Sequence, residues 1–184
     1  NKNEPVMVTG ATGFIASWLV KKLMDNGITV HAAVRNTDDS IKLAHLKNLE
    51  NGSSGKIIFF KSDLLEDGSY LEAMEGCSTV FHTASPFNFS VTDNKKGFID
   101  PAFIGTQNVL KSVNNTESVK RVVLTSSCAA IYGDAADIAM YPGQVMTEEM
   151  WNTSSTETHN AYSYSKTIAE KEAWDISKKQ TRWK

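Results

Sequence analysis

The sequence has few cysteines, no long apolar run and almost no excess charge, and each of these features excludes a class of protein. Cys77 and Cys128 are too few for a disulfide framework or a zinc site. The longest apolar runs have the length of strands, and no basic N-terminus precedes an apolar segment. We therefore expect no membrane partner, and we expect the protein to reside in the cytoplasm.

The charge balance also limits the partners. A net charge of −2 over 184 residues gives no general attraction to nucleic acid, so we expect no nucleic-acid partner. An anionic ligand would have to be bound by local geometry. With 41% hydrophobic residues the chain can bury a core, and we expect residues 1–184 to form one domain.

Strand and helix patterns alternate along the whole chain. This alternation predicts an α/β fold with a doubly wound parallel sheet of the Rossmann type. The predicted strands are residues 6–9, 29–34, 56–61, 79–84 and 121–126. The predicted helices are residues 14–24, a helix carrying Ile41, Leu43, Leu46 and Leu49, and residues 69–74, 98–113 and 161–179. The first helix is expected to bury Ile15, Leu19 and Leu23.

Two stretches have no regular period. A loop is expected from Pro86 to about Lys96, and residues 132–160 form a longer irregular segment. Long irregular segments in compact domains are often functional.

A glycine turn follows the first predicted strand. Gly10, Gly13 and Ala16 form a Gly-x-x-Gly-x-x-Ala pattern, which gives a tight turn, a bare backbone for a pyrophosphate, and a small residue where the helix meets the sheet. The N–H groups at the start of the helix then point at the anion. A purely structural glycine turn is the alternative. The candidate cofactor residues of this turn are Gly10, Thr12, Gly13, Phe14 and Ile15.

The end of the second strand predicts which dinucleotide is bound. An acid at this position bonds the ribose 2′-hydroxyl of NAD, whereas an arginine accommodates the 2′-phosphate of NADP. The position holds Arg35, and Lys42 further along supplies a second cation for the same phosphate. The sequence therefore predicts NADP, with two ordinary surface cations as the alternative.

Further candidates follow the third and fourth strands. Ligands in such folds bind outside the carboxyl ends of the strands. Asp63 and Leu64 are expected near the adenine, and Thr83, Ala84 and Ser85 near the nicotinamide.

The last predicted helix carries a possible proton relay. Tyr162 and Lys166 are four residues apart and share one helix face, whereas Tyr164 faces elsewhere. A phenol with a pKa near 10 is a poor acid–base catalyst at neutral pH, and a nearby ammonium favours its phenolate form. Such a pair is also common in helices with no catalytic role.

A hydroxyl at the end of the fifth strand could hold a carbonyl oxygen against the tyrosine. The candidates are Ser127, which we favour, and Ser126. Strand alternation would point the two hydroxyls to opposite faces, so we expect only one to serve. Serines at strand ends are otherwise common turn formers.

These motifs, in this order, resemble the extended short-chain dehydrogenase/reductases, in the branch of dihydroflavonol, cinnamoyl-CoA and related aldehyde and ketone reductases. The string Asn160-Ala-Tyr-Ser-Tyr-Ser-Lys166 is similar to the Asn-Trp-Tyr-Cys-Tyr-Gly-Lys signature of the cinnamoyl-CoA enzymes but lacks its Trp, Cys and Gly. The other similar strings are Val-Thr-Gly-Ala-Thr-Gly-Phe-Ile (8–15), Ala-Val-Arg (33–35), Val-Phe-His-Thr-Ala-Ser-Pro (80–86), Asp-Pro-Ala (100–102), Gly-Thr-Gln-Asn-Val-Leu (105–110) and Thr-Ser-Ser (125–127).

The resemblance implies hydride transfer from NADPH to an aldehyde or ketone carbonyl of a small molecule. Tyr162 would donate the proton, Lys166 would assist it and hold the nicotinamide ribose, and Ser127 would orient the carbonyl. Members of this family are roughly twice as long, so we expect the chain to be the cofactor-binding portion of a longer reductase, without its substrate lobe. The sequence does not decide whether the oligomeric state is a monomer or a homodimer.

Two other functions compete with this one. A nucleotide-sugar epimerase or dehydratase shares the glycine turn and the Tyr/Lys pair but usually keeps a bound NAD and an acid where Arg35 stands. A dinucleotide sensor without chemistry would not need Ser127, Tyr162 and Lys166.

Overall fold

The computed structural model describes residues 4–86 and 92–184, so residues 87–91 of the expected loop lie outside it. The chain divides into two compact units. The first contains the residues up to Ala84 together with Asn108–Thr125 and Gln180–Lys184, and the second contains Ser85–Gln107 and Ser126–Lys179.

A parallel sheet of five strands forms the centre of the first unit. The strands are β1 (Val6–Thr9), β2 (Val30–Val34), β3 (Ile57–Lys61), β4 (Thr79–His82) and β5 (Arg121–Leu124). Their order is β3-β2-β1-β4-β5, and every neighbouring pair is parallel. All residues of β1 and β2 are buried, as expected for strands covered on both faces. The predicted Rossmann-type fold is confirmed.

The reversal of strand order lies between β1 and β4. The connections through α1 (Phe14–Asp25) and α2 (Ser40–Lys47) lead outward from β1 to β3, and the chain then returns through α3 (Leu71–Met74) to β4. Ligands of open parallel sheets bind in the crevice at such a reversal. The segments after β1 and β4 are therefore the expected binding edge.

The buried face of α1 differs from the predicted one. Ala16, Val20 and Met24 are buried, whereas Ile15 is 64% exposed and Leu19 and Leu23 are partly buried at the edge of the core. Both sets have the same four-residue spacing, so the period could not distinguish them. The small Ala16 side chain lets the start of the helix lie close to the sheet.

Two predicted strands were too long at their carboxyl ends. β4 ends at His82 instead of residue 84, and β5 ends at Leu124 instead of residue 126. After β4, bonds to the Thr9 side chain replace the ladder, as described below. After β5, the Thr125 N–H still donates to the His82 carbonyl oxygen at 2.9 Å, and side-chain contacts begin at Ser126.

The second unit is mainly helical. One π-helical turn, Lys95–Ile99, leads into α4 (Asp100–Asn114), whose last residues belong to the first unit, and α5 covers Ala161–Lys178. Within the described residues, no helix is long and apolar enough to cross a membrane.

Polar side chains organise the irregular segment that precedes α5. The Asp137 carboxylate accepts hydrogen bonds from the Ser154 hydroxyl and from the backbone N–H groups of Gly133 and Asp134, and these bonds lower its pKa. Asn152 donates to the carbonyl oxygen of Ala129 at 2.8 Å. Such contacts leave no hydrophobic period in the sequence, which explains why the segment had no predicted structure.

Candidate active site

The glycine turn after β1 has the geometry that its sequence predicted. Gly10 has a φ of +61°, which favours glycine, and the Gly13 N–H donates to the Gly10 carbonyl oxygen at 2.8 Å. Gly13 is the N-cap of α1 and has no side chain to cover the first N–H groups of the helix. The turn thus presents bare backbone and a helix N-terminus, the combination that suits a pyrophosphate.

Substituting Gly10 should cost stability. A Cβ at this position would lie 3.0 Å from the Cβ of Ala84 and would need the left-handed backbone conformation. We expect Gly10→Ala to lower the free energy of unfolding by about 1–3 kcal/mol in urea titrations. Gly13→Ala is the comparison, because Gly13 has an ordinary φ of −72° and a Cβ there would meet only the Gly10 carbonyl oxygen, at 3.2 Å, so we expect a smaller loss. Equal losses in the two variants would contradict this account of Gly10.

Thr9, at the end of β1, holds the segment after β4 and had no role in the sequence analysis. Its Oγ1 accepts the backbone N–H groups of Thr83 at 3.0 Å and Ala84 at 2.9 Å. A hydroxyl has two lone pairs and one proton, so the proton goes to Nδ1 of His82, 2.9 Å away. These bonds end β4 at His82 and fix two of the predicted nicotinamide residues, Thr83 and Ala84, at the binding edge. The third predicted nicotinamide residue, Ser85, falls in the second unit.

Arg35 and Lys42 both have exposed side chains. Arg35 directly follows β2, at the position expected to contact the 2′-phosphate of the NADP ribose. Lys42 lies in the first turn of α2, and its Nζ is 3.4 Å from a carboxylate oxygen of Asp39, the residue that caps this helix. An exposed pair of this kind is weak, so Lys42 can turn to a dianion at small cost.

The segment after β3 carries the predicted adenine residues, Asp63 and Leu64. The Asp63 carboxylate accepts the N–H of Leu65 at 2.9 Å. The Leu64 carbonyl oxygen accepts a hydrogen bond from the Asn108 side chain at 2.8 Å. Both residues are half-buried in an ordered turn at the carboxyl edge of the sheet.

Thr12 and Phe14 line an open groove of about 500 Å³ beside the glycine turn, together with Trp18 and His45. Phe14 is 83% exposed, and Ile15 also faces solvent at the start of α1. The predicted cofactor residues of this turn are therefore accessible.

Tyr162 and Lys166 lie one turn apart near the start of α5, in the second unit. The Tyr162 ring packs edge-on against Phe98, with 6.0 Å between the ring centroids. Lys166 is only 7% exposed. Burial lowers the pKa of its ammonium, and the carboxylate of Glu170 opposes this shift. A buried ammonium is less screened by water, so its effect on a neighbouring phenol is stronger.

The two candidate serines have different partners. The Ser126 hydroxyl donates to Oε2 of Glu170. Ser127 caps the short 3₁₀ segment Cys128–Ala130, and its Oγ accepts the N–H of Ala129 at 3.1 Å. The proton of Ser126 is thus engaged, whereas the bond that the Ser127 hydroxyl makes within residues 4–86 and 92–184 uses its oxygen as an acceptor and leaves its proton available for donation.

The start of α5 is anchored by the Asn160 side chain together with Asp134 and His159, which had no role in the sequence analysis. Asn160 precedes the helix with a φ of +55°, and its Nδ2 donates to Oδ1 of Asp134 at 3.0 Å. The other oxygen of Asp134 lies 2.8 Å from Nε2 of His159. These contacts hold the residues just before Tyr162. They join positions far apart in the sequence, which no local pattern reveals.

The model of the NAD-dependent epimerase/dehydratase family matches residues 6–183. The chain belongs to this family. The chain is 44% identical to "Cinnamoyl-CoA reductase CAD2" of Medicago truncatula, covering 97% of this chain and 54% of that protein. It is 38% identical to "Dihydroflavonol 4-reductase" of Gerbera hybrida, covering 94% of this chain and 47% of that protein.

A similar solved structure is that of yeast methylglyoxal/isovaleraldehyde reductase Gre2 complexed with NADPH. The TM-score is 0.82 at 30% identity, over 95% of this chain and 53% of the other. The resemblance to the dihydroflavonol, cinnamoyl-CoA and aldehyde reductases is therefore confirmed. The chain spans about half the length of the curated relatives it matches.

Proposed function

We propose that this chain is the cofactor-binding part of a reductase that transfers hydride from NADPH to the carbonyl of a small aldehyde or ketone. The observation that carries the proposal is the buried Lys166 one helical turn from Tyr162 on α5. The relatives named as cinnamoyl-CoA, dihydroflavonol and methylglyoxal reductases support carbonyl reduction.

The residues present fit a dinucleotide. The backbone of Gly10 lies so close to Ala84 that a Cβ on Gly10 would be 3.0 Å from the Ala84 Cβ. The N-cap residue of α1, Gly13, has no side chain, so it makes no side-chain hydrogen bond to the first N–H groups of the helix. When bound, NADPH supplies the hydride. Gly10, Thr12, Gly13, Phe14 and Ile15 would bind the pyrophosphate region, and Asp63 and Leu64 the adenine region. Thr83, Ala84 and Ser85 would bind the nicotinamide region.

Three side chains of the second unit would handle the proton. As hydride adds to the carbonyl carbon, Tyr162 donates its phenolic proton to the carbonyl oxygen, and an alcohol results. Lys166 stabilises the phenolate that forms and holds the nicotinamide ribose. Ser127 donates a hydrogen bond to the carbonyl oxygen. The engagement of Ser126 by Glu170 favours Ser127 for this role.

Arg35 favours a reductase over an NAD-dependent epimerase or a dinucleotide sensor. An arginine at the end of the second strand suits a 2′-phosphate, whereas an NAD enzyme would have an acid there. A sensor would have no use for the Ser127, Tyr162 and Lys166 set.

A location in the cytoplasm belongs to the same proposal and is supported by the two cysteines, which are both free thiols.

The cofactor preference can be tested by titrating NADPH and NADH while following tryptophan fluorescence. We expect NADPH to bind about tenfold or more tightly than NADH, since charge-assisted bonds to a phosphate are strong. Arg35→Ser should remove most of this preference and Lys42→Ala a smaller part, with NADH affinity unchanged.

Lys22→Ala is the matched control, because Lys22 is an exposed cation in the last turn of α1, away from the glycine turn. It should leave the ratio of the two affinities as in the unmodified protein. Equal affinities for the two dinucleotides in the unmodified protein would overturn the assignment of Arg35 and Lys42.

A further inference from the structure

Glu170 occupies a position on α5 that links several side chains of the second unit. Tyr162, Lys166, Glu170 and Trp174 follow one another at intervals of four residues and therefore share one face of the helix. One carboxylate oxygen of Glu170, Oε2, accepts the Ser126 hydroxyl. The other, Oε1, accepts the indole N–H of Trp174 at 3.2 Å. Donors on both oxygens fix the orientation of the carboxylate.

The bond to Ser126 ties α5 to the residues that follow β5. Ser126 directly precedes Ser127, which caps the 3₁₀ segment Cys128–Ala130. A second, weaker contact lies nearby: the Thr167 hydroxyl is 3.5 Å from the Ala129 carbonyl oxygen but donates at 2.8 Å to the Ser163 carbonyl oxygen of its own helix. Of these two links, the one through Glu170 is charge-assisted and hence the stronger. Asn152 also holds this segment, through the Ala129 and Ala130 carbonyl oxygens, but the bond to Glu170 is made by the residue next to Ser127.

The charge of Glu170 also acts on Lys166. Lys166 is buried, and a buried ammonium needs a compensating negative charge. Among the segments that contact α5, Lys95–Ile99 and Cys128–Ala130 contribute Lys95, Lys96 and Cys128 as titratable groups, all of them exposed. The helix α4, which contacts α5 through Gln107, carries Asp100 in its first turn. On α5 itself, Glu170 is the acidic residue one turn from Lys166, and its carboxylate opposes the loss of the Lys166 proton.

We propose that Glu170 is a positioning residue, which holds the segment that carries Ser127 against α5 through its bond to Ser126 and places a negative charge one helical turn from the Lys166 ammonium. The inference rests on the proposed reductase function, because it assigns Glu170 to the same set of groups. Glu170 touches neither substrate nor cofactor in this scheme. It acts through Ser126 on one side and through Lys166 on the other.

Three variants of the full-length protein separate the two effects. Glu170→Ala removes both the acceptor and the charge. Glu170→Gln keeps a side-chain oxygen that can accept the Ser126 hydroxyl but removes the charge. Glu172→Gln is the matched control, because Glu172 lies on the same helix with a different partner, the Gln107 amide at 2.9 Å.

Kinetics with NADPH and an aldehyde panel test the positional effect. We expect Glu170→Ala to lower kcat by about 10²-fold, the scale of a misplaced catalytic group, with a much smaller change in KM for NADPH. Glu170→Gln should recover about half of this loss on a logarithmic scale. Ser126→Ala combined with Glu170→Ala should be no slower than Glu170→Ala alone, since Glu170→Ala already removes the contact through which Ser126 acts.

A second measurement does not depend on turnover. Acylation of lysines at a series of pH values, with Lys166 followed by mass spectrometry, reports where its amine becomes reactive. We expect this pH to fall in both Glu170→Ala and Glu170→Gln and to stay unchanged in Glu172→Gln.

The outcomes distinguish the two proposals. If the unmodified protein reduces no carbonyl, the proposed function fails, while the acylation profiles still test the effect of Glu170 on Lys166. If the protein is active and both Glu170 variants match Glu172→Gln in kcat and in the acylation profile, Glu170 is not a positioning residue. Circular dichroism of each variant shows whether it is folded. If Glu170→Ala is not folded, the comparison of Glu170→Gln with Glu172→Gln is sufficient for the acylation test.

Discussion

Tyr162→Phe is expected to lower kcat for carbonyl reduction by about 10²-fold or more in the full-length protein. The substitution removes only the phenolic hydroxyl, which the proposed mechanism needs as the proton donor. The ring itself packs edge-on against Phe98 at 6.0 Å between centroids, and a phenylalanine keeps that contact. The affinity for NADPH should therefore change little, so the loss should appear in kcat and not in cofactor binding.

Tyr164→Phe is the matched control for this experiment. Tyr164 lies on the same helix, two residues further on, and faces away from the stripe that carries Tyr162 and Lys166. Its kcat should stay within about threefold of the unmodified protein, because the substitution touches none of the proton-handling groups. If Tyr162→Phe is as active as Tyr164→Phe, the proton comes from another group.

Short-range patterns were sufficient to predict most of the sheet. β1 has the predicted bounds, Val6–Thr9, because an apolar run ends there at a glycine that must adopt a positive φ. The other strands begin within a residue of the prediction. Each strand is a compact apolar run between polar turns, and such runs carry their boundaries in the local sequence.

The face that α1 buries could not be predicted in the same way. Ile15 and Ala16 both begin an apolar series at four-residue intervals, and hydrophobicity favours the larger side chains. Close contact between helix and sheet favours the smaller one, and Ala16 is buried while Ile15 is exposed. The choice depends on the distance between two packed elements, which is a property of the tertiary structure.

The contacts that shape the candidate site are also long-range. Ser126 and Glu170 are 44 positions apart, and Thr9 and Ala84 are 75 apart. Each of these residues belongs to a local pattern with an ordinary explanation, a serine in a turn or a glutamate on a helix. The sequence could therefore name Tyr162, Lys166 and the serine pair as candidates, but it could not decide which serine keeps its proton. The roles of these residues stay predictions until the variants are measured.

Thr9→Val is expected to be the most destabilising of the substitutions proposed for the first unit. Valine has nearly the shape of threonine, so no cavity forms at this fully buried position. The backbone N–H groups of Thr83 and Ala84 lose their acceptor, and Nδ1 of His82 loses its donor. Each buried polar group left without a partner costs about 1–3 kcal/mol. Thr83 and Ala84 are only half-buried, so water can satisfy part of the two N–H groups, and we expect the free energy of unfolding in urea to fall by about 2–5 kcal/mol.

Thr9→Ser separates the hydroxyl from the methyl group. Serine keeps the oxygen that joins β1 to the residues after β4 and removes one methyl group, which costs about 1 kcal/mol in a buried site. If valine were tolerated as well as serine, the hydroxyl would not determine where β4 ends. If valine is much the worse, the same substitution should also weaken NADPH binding, because Thr83 and Ala84 would lose the contacts that hold them at the binding edge. Serine should preserve most of that affinity, so stability and cofactor binding should rank the two variants in the same order.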